Sequence, residues 1–419
     1  MHYLFLGRLS VHHRPRRLLA TAALAALVVV SSACSSDDNN TDRSSDSSTT
    51  TTMGGDGATA GPDAPIIFNA QGNNLDAYAS EASEDGSFAT QRVFETASTD
   101  PVNGSDINAQ ICFFPPTDEG EQWFIGGEDT DQEEAGGSAG WGIFRLEGTE
   151  VANLKATQLG KLIPTYQPAN DNPENYGCGV LSDGRVITTD VGNQASGAGD
   201  GQLIIWFPPL TGGDEPPFDD VAYCKLDVTL ATAQSVLIRD DEIYVAAARG
   251  GVYRYPGPFP TSGDADGGCA GTDDTGAPFA DDVAKETFIE PGPEGLATPT
   301  GLADAPDNGL YVSSVFTGVI NEYGPDGSFR RTILAPPEGE QLGEETYSTG
   351  TPLGIGVDAD GTLYYADIGI VVSDGGVGPG DKTGSVRRIR FVDGEPQAPE
   401  TLATDLSYPD GIGVWNPFS

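Results

Sequence analysis

"TPLGIGVDADGTLYYADIG" (Thr351–Gly369) sets two short apolar runs on either side of an Asp-Gly turn. Runs of this length split by Asp-Gly or Asn-Gly are the strongest short-range signal for a β-hairpin. After an interval a third run, "GSVRRIRF" (Gly384–Phe391), closes on "VDG". The same order recurs at "TGLADAPDNG", "LYVSSVFTG" and "VINEYGPDGSFRRTIL", starting at Thr300. It recurs at "GCGVLSDG", "RVITTDVGNQ" and "GQLIIWFPP" from Gly177, and at "SVLIRDDE", "IYVAAARG" and "GVYRYPG" from Ser235. A degenerate copy, "ICFFPPTDEGEQ", "WFIGGEDT" and "WGIFRLEG", starts at Ile111 and brings the visible copies to five. A twisted sheet of about four strands cannot bury both faces alone, so units of this kind stack radially into a propeller.

The two ends of the chain supply a sixth unit. "YPDGIGVW" (Tyr408–Trp415) matches only the innermost strand of a copy, and "IIFNAQGNNLDAYASEASEDGSFATQRVF" (Ile66–Phe94) matches the remainder. In this alignment Ile66–Gln71 lies on Tyr311–Phe316 and Asn73–Tyr78 lies on Gly318–Tyr323. The expected fold is all-β: a six-bladed propeller over residues 64–419, its last blade shared by both termini, which removes the free edges of an open array. Insertions fall near 130–140, 195–200, 209–222, 256–285, 336–350 and 371–384. Glycine (56) and proline (30) are abundant and methionine (2) is scarce, as suits a chain made mostly of turns.

Residues 1–33 read separately from the propeller. Four arginines (Arg8, Arg14, Arg16, Arg17) precede an apolar stretch from Leu18 to Val30 and the small residues "SSAC" at Ser31–Cys34, the layout of an export signal too short to stay as a membrane span. It resembles a bacterial lipoprotein signal, in which Cys34 becomes the lipid-bearing first residue. Ser31 stands where that pattern usually has a bulky aliphatic, and simple secretion is the alternative. Residues 34–63 have almost no apolar side chains to bury and are expected to form a disordered tether. Removal of residues 1–33 takes 4 of 21 basic and none of 63 acidic residues, leaving 17 − 63 = −46. A field of that sign excludes nucleic acid as a partner.

All three histidines (His2, His12, His13) lie in the signal, so the mature chain has no histidine base, Ser-His or Cys-His nucleophile, or imidazole metal ligand. Cys112, Cys178, Cys224 and Cys269 remain, an even number in an exported chain, and imply two disulfides. The repeat register puts Cys112 and Cys178 on the innermost strands of consecutive blades. It pairs Cys224 with Cys269 across outer segments of blades two and three. The aromatics in "IIWFPPL" (Ile204–Leu210) and "GGVYRYPGPFP" (Gly250–Pro260) read as outer packing or as one wall of a groove. The arginines of "SVRRIRF" read as partners for surface carboxylates.

The runs "GIGVDADGTLYYAD", "GLADAPDNGLYVSS" and "YPDGIGV" resemble the six-bladed propellers of the gluconolactonase and regucalcin family and of NHL-repeat proteins. The resemblance covers most of residues 64–419 and implies a ligand or metal site at one mouth of the ring. Read through the repeat, the second strands end at Asn69, Gly127, Asp190, Ala247, Ser314 and Asp367, on the same face as Tyr176, Thr300, Leu353 and Asp410. Asp190, Asp367, Asp410 and Asn69 are hard oxygen donors of the kind calcium takes, with Glu128, Asp129 and Asn193 further out. Asp and Asn at such places also cap turns through their own backbone. In the lactonases of this family calcium polarises an ester carbonyl and an aspartate acts as base, which implies catalytic roles for Asp367 and Asp190. Asp410 in "PDG" matches the family's metal-binding pattern, whereas Thr300, Leu353 or Tyr176 stands where an asparagine is expected. Two readings stay open for a chain expected to be a monomer with a small-molecule or surface ligand: a lipid-anchored, calcium-dependent lactone or ester hydrolase, and a non-catalytic NHL-type ligand- or protein-binding propeller at the cell surface.

Overall fold

The computed structural model describes residues 64–416 apart from 72–73, 96–108, 118, 128–139, 163–174, 193–200, 212–220, 275, 281, 336–349, 374–375 and 381. The signal (1–33), Cys34 and the rest of the 34–63 segment lie outside the described residues.

Six antiparallel blades of four strands each form the ring, and two further short strands extend the sheet of blade two. From the axis outward, blade one is Ile111–Phe113, Gln122–Gly127, Trp141–Glu147 and Lys155–Leu162. Blade two is Asn175–Val180, Val186–Asp190, Gly201–Trp206 and Tyr223–Leu230, and blade three is Ala233–Arg239, Glu242–Ala247, Gly251–Tyr255 and Glu286–Ile289. Blade four is Pro299–Ala305, Gly309–Ser314, Val319–Tyr323 and Phe329–Leu334, and blade five is Pro352–Val357, Leu363–Asp367, Gly384–Ile389 and Glu400–Leu406. Blade six runs C-terminus first: Ile412–Trp415, then Ile66–Gln71, Asn74–Ala82 and Phe88–Glu95. The chain is thus a six-bladed β-propeller closed by its own two ends.

The repeat's invariant features have separate physical reasons. In "DADG" the Asp358 carboxylate accepts from the Asp360 N–H (3.0 Å), the Thr362 N–H (2.9 Å) and the Tyr364 hydroxyl (2.9 Å), so the turn is scaffold. The glycine leading the inner strands of blades two, four, five and six is needed because backbones meet there: a Cβ on Gly354 would stand 2.5 Å from the Asp410 carbonyl, and one on Gly411 would collide with Ala109. Small hydroxyls stitch the same layer. Thr189 Oγ1 accepts from Gly177 N (2.7 Å) and donates to the Gln234 carbonyl of the next blade (2.7 Å). Ser313 does the same between Gly301 and Leu353.

The seam between blades six and one is cemented by aromatic rings. Phe68, Phe113, Phe124 and Trp415 pack together, Phe124 stacks on Phe144 at 5.0 Å, and Trp415 Nε1 donates to Gln122 Oε1 (3.1 Å). Each such ring pair adds about 0.5–1.5 kcal/mol beyond area burial.

Both disulfides pair as the register requires, Cys112 with Cys178 and Cys224 with Cys269. The second does more than link outer segments. The blade-three insertion carries two short strands, Gly271–Thr272 and Pro278–Phe279, that join the sheet of blade two, Phe279 pairing in parallel with Lys225. Trp206, Phe207, Tyr255 and Phe259 are buried in the core, so these aromatics form packing and not a groove. The arginines of "SVRRIRF" pair with carboxylates: Arg387 with Asp367 (3.8 Å), Arg388 with Glu400 (2.7 Å) and Arg390 with Glu81 (3.0 Å).

Candidate functional site

The inner strand of each blade starts, and the second strand ends, on one face of the ring. Asp190, Ala247, Ser314 and Asp367 end their second strands there, as the repeat predicts. The residues leading the inner strands at this mouth, Tyr176, Gln234, Thr300, Leu353 and Asp410, are all buried.

Asn69 sits deeper. The residue after the leading glycine pairs with a position two short of the second strand's end: Cys178 with Thr188, Leu302 with Val312, Ile355 with Tyr365. In blade six that residue is Ile412, and it pairs with Asn69. Asn69 is therefore the counterpart of Val312, and Gln71 takes the place at the mouth. The apolar pattern that aligned the segments has a period of two, so a shift of two residues leaves every side chain on its expected face. Asn69 is fully buried and its Nδ2 donates to the Gly411 carbonyl (3.0 Å), while its Oδ1 has no hydrogen-bond partner.

The aspartates are bonded to their own turns. Asp190 is buried, and its Oδ1 accepts from Gly192 N at 2.9 Å. Asp367 Oδ1 accepts from Thr351 N (3.0 Å), Thr351 Oγ1 (3.1 Å) and Gly369 N (3.2 Å), and its other oxygen faces Arg387. These bonds fix the loops after the second strands.

Calcium would need these oxygens within one coordination sphere. Ligand oxygens lie about 2.3–2.6 Å from calcium and so within about 5 Å of one another. Asp190 belongs to blade two and Asp367 to blade five, which face each other across a ring of six. Among the described residues, no three or more Asp, Glu, His or Cys side chains are grouped to hold a metal ion. Glu128, Asp129 and Asn193 lie outside the described residues.

The space between those blades is apolar. Val191, Ala248, Val315 and Ile368, each directly after a second strand, pack with Phe316, Ile370, Tyr176 and Leu353 into one cluster spanning blades two to five. This cluster escaped the reading of the repeat, which scored the polar strand ends. Its signal was visible one residue later, where four of six copies carry an apolar side chain.

Tyr365, next to Arg387 and Asp367, is pushed up to about 12, chiefly by burial, and stays protonated near neutrality. The buried Thr351 hydroxyl donates to Asp367 Oδ1 and accepts from Ile370 N (3.3 Å), which ties the turn.

No family model and no curated protein match the chain. Similar solved structures include virginiamycin B lyase from Staphylococcus aureus, with 13% identity over 82% of this chain and 85% of that chain and a TM-score of 0.39. A protein of unknown function from Bacteroides caccae has 12% identity over 84% and 98%, with a TM-score of 0.42. A calcium-binding regucalcin from Agrobacterium tumefaciens has 14% identity over 70% and 74%, with a TM-score of 0.39.

Proposed function

We propose that this chain is an exported, non-catalytic binding propeller that holds its ligand at the strand-two mouth, above a buried apolar plug and without a metal. The observation that carries this is the single apolar cluster of Tyr176, Val191, Ala248, Val315, Phe316, Leu353, Ile368 and Ile370, drawn from four blades. Binding sites are mostly apolar with a few fixed polar groups at the rim. Asp190, Asp367 and Asp410 suit that role, since Asp190 and Asp367 already bond the turns around the cluster. Export is supported by the residues before Cys34 and by the two disulfides. Lipid attachment at Cys34 would hold the ring at a membrane surface.

The test is thermal melting and calorimetric titration of residues 34–419 with calcium chloride and with chelator, alongside hydrolysis assays on δ-gluconolactone and phenyl acetate. No calcium heat, no chelator shift and no turnover are expected. A chelator-sensitive melt together with lactone hydrolysis that Asp410→Ala abolishes would establish the metal-dependent hydrolase instead.

A further inference from the structure

Outer strands of propeller blades are sheet edges, and natural edges are blunted by charge or by shortness. The outer strands of the other five blades, "FATQRVFE", "KATQLGKL", "ETFI", "FRRTIL" and "ETLATDL", carry charged and hydroxyl side chains, and their described patterns all include exposed positions. Blade two differs. Its outer strand, "YCKLDVTL", is eight residues long, and Tyr223, Cys224, Lys225, Leu226 and Asp227 are all buried.

The blade-three insertion covers this strand. Phe279 pairs with Lys225 in parallel, Ala280 N donates to the Lys225 carbonyl (3.0 Å), and Asp273 forms an ion pair with the Lys225 ammonium. The new outer edge is then Gly271–Thr272, two residues long and too short to template another strand. The insertion's strands have two residues each, too few to hold themselves on a sheet. Cys224–Cys269 ties the insertion to the same edge, one residue from Lys225.

We infer that residues 261–280 are an edge guard: a strap kept on blade two by the Cys224–Cys269 bond, which stops that edge from pairing with a second copy of the chain. The inference is independent of what the mouth binds. Without the disulfide the strap leaves, Tyr223 and Leu226 meet water, and Lys225 loses the carboxylate that neutralises it. An open strand of this length is the kind of edge that recruits a like strand.

The experiment compares the mature chain with its Cys224→Ala/Cys269→Ala variant by hydrogen–deuterium exchange and by light scattering over a range of concentrations. Expected is a loss of exchange protection at 223–230 and 271–280, unchanged protection in blades four and five, and reversible self-association. Retained protection at 271–280 overturns the inference, as does lost protection in a chain that stays monomeric. Should that variant fail to fold, the strap-deleted chain decides: residues 261–280 replaced by a Gly-Ser linker, with Cys224→Ala. Association supports the guard, and a folded monomer with an open edge overturns it.

Discussion

Replacing Asp273 by asparagine isolates the buried charge of blade two. Lys225 is 1% exposed and Asp273 9%, and the two form an ion pair between the outer strand and the insertion. The asparagine keeps the shape and leaves the Asp273 Oδ1 contact with Ala277 N (2.9 Å) available to an amide oxygen, so the loop turn is retained. What is lost is the counter-charge. Breaking a buried pair from one side costs about 3–5 kcal/mol, because the remaining ion stays desolvated. In a ring of this size each kcal/mol moves the melting temperature by about 1.5 °C, so the expected fall is about 4–8 °C. Removing both charges with Lys225→Met/Asp273→Leu should recover most of that loss, since well-packed apolar replacements of buried pairs are close to neutral. The assay is calorimetric melting of both single variants and the double variant, read as a cycle. A fall below about 1 °C for Asp273→Asn, or a double variant no better than the single, refutes the reasoning that Lys225 is charged and dry.

Asp227 carries a second expectation. Burial raises its pKa, but bonds from Lys285, Tyr255 and Thr229 outweigh that and hold it below the ordinary carboxylate range. A depressed folded pKa gives stability that is present above the unfolded value and lost as pH falls through the folded one, so Asp227→Asn should flatten the acid limb of a melting-versus-pH curve below about pH 4. Gly354→Ala should destabilise the ring by about 1–3 kcal/mol in urea, because the added methyl meets the Asp410 carbonyl and neither backbone can give way. Thr351→Val should cost about 1–2 kcal/mol by removing one of three donors to Asp367 Oδ1, measured by the same titration.

The fold was legible because its signals are local and repeated. Asp-Gly turns such as that at Asp358, and leading glycines such as Gly354, recur at a spacing that only a ring of blades satisfies. The cysteine pairs followed from the same register. The site was harder to read because an aspartate looks alike in a sequence whether it faces a ligand or its own turn. Asp190 and Asp367 stand at equivalent strand ends, and each bonds the loop that follows. Asn69 fell two residues from its expected station because period-two alternation cannot detect an even shift. The strap over blade two was invisible for another reason: its pairing joins segments some fifty residues apart through a single parallel bridge, with no periodic signal of its own.

The closure of blade six also sets how the molecule answers force. Ile66 pairs with Trp415, so the chain comes in and goes out side by side at one end of a four-pair ladder. A pull between the two termini opens that ladder from its end, one hydrogen bond after another, and meets little resistance. A pull between an N-terminal anchor and a ligand held at the mouth runs instead along Ile66–Gln71. That strand is gripped on both sides, by Ile412–Trp415 and by Asn74–Ala82, and its bonds lie across the direction of pull. They must shear together before it slides. A chain held at its N-terminus and tugged at its mouth is therefore loaded along its stronger axis.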